Sequence, residues 1–180
     1  MPQKLDFITP TVMKVLELFL TNPAAEFHER EVLRIVKISK GSANRILRQL
    51  ASLALLERIE KGRMVFYELN AADPFVKQMK ILSNIWALRA FVADLKERAR
   101  KIILFGSCAE GTDVGESDID ILILADERIA AKENVSRFNQ NSERKIAPLI
   151  LTMGEFIRLR KEDKPLFERI DRGIVLWETG

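Results

Sequence analysis

The sequence predicts an α+β protein in three stretches. Residues 1–72 hold three helices and a β-hairpin, 73–97 a connecting helix, and 98–180 a compact α/β unit. Two observations predict this. Apolar residues recur at helical spacing through the first fifty or so positions, and then give way to strand-like alternation. Beyond residue 100, two purely aliphatic runs, Ile102–Phe105 and Ile121–Leu124, flank a loop of small residues. Unbroken runs of this kind are what strands covered on both faces require.

Composition bounds the rest. With 180 residues, 47 % hydrophobic and 31 % charged, the chain reads as globular rather than disordered. A single cysteine, Cys108, excludes an internal disulfide, and the single histidine, His28, leaves no Cys/His set for zinc. Any metal must therefore be a hard cation held by oxygen. The opening "MPQKLDFITP" has no apolar leader, and no window reaches the ~18 apolar residues of a membrane span. The expectation is a cytoplasmic protein with no membrane partner.

Thr9-Pro10 is a good helix start, a cap followed by proline at the first helical position. Val12, Val15, Leu16, Phe19 and Leu20 then keep helical spacing until "TNP" stops the helix at 21–23. A second helix fits Glu29–Val36, with His28 as a helix-start residue and no catalytic role. In a third, Ala43, Ile46, Leu47, Leu50 and Leu53 form one apolar face. Lys40, Ser42, Asn44, Arg45, Arg48 and Gln49 form the other. "LERIE-KGR-MVFYEL" reads as a hairpin around a Lys-Gly-Arg turn.

No acidic residue occurs from Val32 to Leu56, and the hairpin tip adds Lys61 and Arg63. A basic helix face and a basic tip suit phosphate contact in and beside a groove. Arg45, Asn44 and Gln49 are also side chains able to pair with base edges. Residues 8–70 resemble, in pattern, the winged helix-turn-helix domains of small prokaryotic transcription regulators, which implies a DNA partner. The alternatives are a merely solvated basic face and a winged helix that docks protein.

Asp73-Pro74 opens a helix expected to run to about Glu97, ~24 residues or ~36 Å at 1.5 Å per residue. Its apolar side, from Phe75 to Leu95, is too broad for a free linker. It calls for packing within the chain or against a second copy, so a homodimer is one expectation.

The stretch "GSCAEGTDVGESDID", residues 106–120, places Asp118 and Asp120 two apart at the mouth of a buried strand, pointing the same way. A divalent cation relieves their repulsion, and Mg²⁺ prefers one or two carboxylates with phosphate and water for the rest. Gly106 lets backbone approach a phosphate, and Ser107, opening a helix, offers hydroxyl and amide to the same anion. There is no G-x-x-x-x-G-K-[ST] loop, and an EF-hand starting at Asp113 would need glycine where Asp118 stands. The plain alternative is a strand whose first polar residues face solvent.

The whole pattern, Gly106-Ser107, Ala109, Gly111, then Ser117-Asp118-Ile119-Asp120 and an aliphatic strand, closely resembles the signature of the DNA polymerase beta-like nucleotidyltransferases. It is most similar to the small prokaryotic minimal type. The resemblance spans about residues 98–180, including the closing "FERIDRGIVLWE". It implies a mixed sheet flanked by helices that binds a nucleoside triphosphate such as ATP through Mg²⁺. Gly106, Ser107 and Ser117 would hold the nucleotide. Asp118 and Asp120 would be the catalytic metal ligands, an acceptor hydroxyl taking the nucleotidyl group. The family's third carboxylate should fall near Ala147, but the strand 144–152 contains no Asp or Glu. The resemblance thus implies either a transferase or a regulator with a degenerate transferase domain. Likeness to antitoxin halves of two-gene modules adds a protein acceptor or toxin as an expected partner.

Overall fold

The computed structural model describes residues 5–115 and 117–179. The chain divides into two compact units, Met1–Met79 and Lys80–Gly180. In the first, α1 (Pro10–Thr21) starts as its sequence requires, with the Thr9 hydroxyl accepting from the Val12 N–H. Helix α2 (Glu29–Val36) is capped by His28, whose Nδ1 accepts from the Arg30 N–H at 3.1 Å, while Glu31 accepts from the His28 N–H at 2.8 Å. Helix α3 (Lys40–Ser52) is capped by Ser39. The apolar stripes of all three meet in one core, with Phe19, Val32, Leu47 and Leu50 fully buried. Each such side chain contributes about 1.5–3 kcal/mol by leaving water.

The hairpin is β2 (Leu56–Lys61) and β3 (Met64–Leu69), turning at Gly62 with φ +63°. A two-residue strand, β1 (Phe27–His28), adds to β3 and makes a three-stranded antiparallel sheet of order β1-β3-β2. Two residues are too few to show alternation, so periodicity gave no sign of it.

The single helix expected from 74 to 97 is two helices, α4 (Pro74–Ala87) and α5 (Arg89–Leu95), followed by a 3₁₀ turn at Lys96–Arg98. No Pro or Gly marks the break. Its apolar side is two stripes serving different cores. Val76 and Met79 belong to the first unit's core, while Leu88, Phe91 and Leu95 belong to the second's.

The second unit is built on a mixed four-stranded sheet of order β6-β5-β4-β7. Its strands are β4 (Lys101–Leu104), β5 (Ile119–Leu124), β6 (Ile146–Leu151) and β7 (Ile174–Glu178). Strands β5 and β6 are parallel, joined by helix α7 (Arg128–Asn141); the other pairings are antiparallel. One face of β4 and β5, with Ile102, Leu104, Ile121 and Ile123, packs under α5 and α7. The other, with Ile103, Phe105, Leu122 and Leu124, is covered by α8 (Met153–Glu162) and α9 (Lys164–Asp171). Cover on both faces is why the central strands are continuous aliphatics. Strand β6 is an edge, where Pro148 costs no ladder bond that matters. Among the described residues, no helix is long and apolar enough to cross a membrane.

Candidate functional site

Strand β4 delivers the chain to Phe105 and Gly106, where the backbone turns at φ +68°, ψ −156°. That conformation is open to glycine and strained for other residues. A Cβ there would also run into the Asp120 carboxylate and lie 3.3 Å from Nη2 of Arg169. Gly106 and the aspartate are thus packed against each other. Ser107 begins a four-residue helix, α6 (Ser107–Glu110), which ends at Gly111 in the left-handed region.

Asp118 is exposed immediately before β5, and Asp120 is the second residue of that strand, half-buried. Burial lifts the Asp120 carboxyl above the ordinary carboxylate range; the Arg169 guanidinium opposes the lift, and the charge of Asp118 adds to it. Asp120 Oδ2 lies 3.6 Å from Arg169 Nη2, on α9. The parallel register sets Ala147 of β6 directly beside Asp120, so the neighbouring strand supplies a methyl group where a third carboxylate was expected. Glu155, another carboxylate near that strand, is committed elsewhere: it caps α8 through Thr152 and pairs with Arg128. Among the described residues, no group of three or more His, Cys, Asp or Glu is arranged to hold a metal ion. Two aspartates fit Mg²⁺ as partial ligands, a set that phosphate oxygens and water would complete.

The Ser117 hydroxyl accepts from the Val114 N–H at 3.0 Å and so closes the loop ahead of Asp118. The rest of the loop hangs on a buried polar cluster that sequence reading missed. Asp113, 4 % exposed, meets Lys80 Nζ at 3.4 Å and Arg144 Nη1 at 3.2 Å. Asn84 donates to Asp113 Oδ1 at 3.2 Å and to the Cys108 carbonyl at 3.1 Å. Arg144 donates to Asn84 Oδ1 at 2.9 Å, to the Ser117 carbonyl at 3.3 Å and to Cys108 Sγ at 2.9 Å. Burial pushes the Cys108 thiol up despite Arg144, so it stays a protonated packing group. The sequence signal was slight: Lys80 and Asn84 stand four apart, on one side of a helix.

In the first unit, Lys40, Asn44 and Arg48, at successive four-residue steps along α3, line one concavity with Arg63 of the hairpin turn. His28, Glu29, Arg30, Arg58, Val65 and Tyr67 complete it, adding two arginines the sequence reading did not name. Asn44 is engaged there, donating to Glu29 Oε2 at 2.6 Å. The other predicted residues lie outside it. Arg45 is exposed, Gln49 half-buried, Ser42 bonded to Ser39 at 2.9 Å, and Lys61 paired with Glu26.

A family model described as "Polymerase beta, Nucleotidyltransferase" matches residues 91–179. No curated protein sequence matches the chain. Among solved structures, a possible transcriptional regulator from Methanosarcina mazei Go1 is similar at 18 % identity and TM-score 0.37, over 50 % of this chain and 78 % of that one. A mutant form of the toxin–antitoxin MntA-HpeT is similar at 21 % identity and TM-score 0.39, over 53 % and 73 %. A provisionally assigned nucleotidyltransferase from Sulfolobus solfataricus is similar at 19 % identity and TM-score 0.38, over 57 % and 87 %. With a Gly-Ser turn packed on an Asp-x-Asp strand in a mixed sheet, and with the family match behind it, residues 91–179 form a domain of the polymerase beta nucleotidyltransferase fold.

Proposed function

We propose that this chain is a DNA-binding regulator whose C-terminal domain holds a Mg²⁺–nucleoside triphosphate, its catalytic power reduced by the loss of one carboxylate. The observation that carries the reading is Gly106, whose missing side chain leaves room for the Asp120 carboxylate beside the Gly-Ser turn. Asp118 and Asp120 are the metal ligands, and Gly106 and Ser107 the phosphate contacts, with Ser117 shaping the loop between them. Mg²⁺, when bound, supplies charge neutralisation to the phosphates. Ala147 beside Asp120 is what favours binding over turnover, because the group that would help activate an acceptor hydroxyl is a methyl.

The first unit, read as a winged helix, supplies the DNA contact through Lys40, Arg48 and Arg63, now joined by Arg30 and Arg58. A homodimer fits the exposed pair Leu82 and Trp86, four apart on α4, and a protein partner of the toxin kind belongs to the same regulatory reading. The second reading, nucleotidyl transfer to an acceptor, is favoured by the intact Gly-Ser and Asp-x-Asp.

Filter binding with labelled DNA and α-³²P-ATP tests both halves at once. Arg48→Ala/Arg63→Ala loses DNA retention and keeps ATP; Asp118→Ala loses ATP and keeps DNA. Label that survives denaturation on an acceptor establishes transfer. Wild type that retains neither ligand contradicts the proposal.

A further inference from the structure

Arg169 stands where a metal site would be expected to hold only oxygen. Its guanidinium lies 3.6 Å from the Asp120 carboxylate and 5.9 Å from the centre of the Phe105 ring. Its outer portion is free to move, the side chain being 53 % exposed. The charge count around it is informative. Two carboxylates alone would make a site of charge −2, attractive to a bare divalent cation. With the guanidinium beside Asp120 and a methyl at Ala147 on the next strand, the site is at −1, and one of its two ligands already has a cation. A metal arriving alone must displace that arginine into water.

We infer that Arg169 is the resting counter-ion of Asp120 and makes metal capture depend on the triphosphate. The inference rests on the proposed nucleotide site. A triphosphate offers the guanidinium a denser set of acceptors than one carboxylate does, in the forked geometry arginine favours. Once drawn to phosphate, Arg169 frees Asp120 for the metal and becomes a phosphate contact itself. Linkage makes the effect reciprocal: nucleotide raises affinity for metal by the factor by which metal raises affinity for nucleotide. Unlike a three-carboxylate centre, such a site holds metal more weakly until nucleotide is present.

The test uses the full-length chain with Mn²⁺, an oxygen-seeking stand-in for Mg²⁺ whose free form is counted by its paramagnetic resonance. Without nucleotide, Arg169→Ala is expected to bind Mn²⁺ about three- to five-fold more tightly than wild type, the worth of a half-exposed ion pair. With ATP, the same variant is expected to bind Mn-ATP about ten-fold more weakly, the loss of one charged phosphate contact. Arg169→Lys, which keeps the charge but not the fork, falls between the two on both measures. If wild type binds Mn-ATP but Arg169→Ala takes up Mn²⁺ alone no better than wild type, the inference fails and the nucleotide site stands. Wild type that binds no Mn-ATP overturns the nucleotide site and the inference with it.

Discussion

Gly106 and Glu155 show how single side chains set this site and its surroundings. Gly106 meets two demands at once, a left-handed backbone and contact with Asp120 too close for any Cβ. Glu155 completes a capping box, accepting from the Thr152 N–H at 2.8 Å while paired with Arg128. These donors bring its carboxyl from an ordinary 4.5 down to about 2, the Thr152 N–H contributing most. A carboxylate with a depressed folded-state pKa contributes stability that is complete above its unfolded value and disappears as pH falls through the folded one. Glu155's contribution should therefore vanish between pH 4.5 and about 2. Glu155→Gln is expected to lower the urea midpoint at pH 7 and to flatten its fall across that window. Parallel acid profiles for the two proteins would contradict this.

Among the elements, the loop between α6 and β5 depends most on distant partners. Among its described residues from Thr112 to Asp118 it has no helix or strand, yet its Asp113 is buried between Lys80 of α4 and Arg144 ahead of β6. Buried charges of this kind are held in place by one another, and removing one partner leaves the other stranded in low dielectric. Asp113→Asn should destabilise the fold by about 3 kcal/mol, read from urea denaturation, with nucleotide affinity falling as the loop loosens. A change below about 1 kcal/mol, the scale of a surface pair, would contradict a buried role for this carboxylate. Helix α3 illustrates the opposite case: Lys40, Asn44 and Arg48 share a face because they stand at four-residue steps along one helix.

For the molecule as a whole, what could be read in advance followed from how local each signal is. The cap at Thr9, the helical stripes and the Lys-Gly-Arg turn depend on residues within four positions of each other. The Gly-Ser and Asp-x-Asp elements were likewise legible from spacing alone. Three features were not. The break at Leu88 has no Pro or Gly to mark it. The strand at Phe27–His28 exists only through its pairing with β3. The contacts of Asp113, Arg144 and Arg169 join residues far apart in the chain, 60 positions in the case of Arg144 and Asn84. Tertiary structure alone brings them together. The absence of Asp and Glu from residues 144–152 was visible in the sequence, and the register sets Ala147 beside Asp120.

The central claim is a nucleotide site built on Gly106, Ser107, Asp118 and Asp120. Calorimetric titration of the four NTPs, with and without Mg²⁺, into wild type and Asp118→Ala/Asp120→Ala tests it most directly. The account predicts binding by wild type that strengthens with Mg²⁺ and is lost in the double variant. Absence of binding in wild type, or equal binding in the double variant, would contradict it.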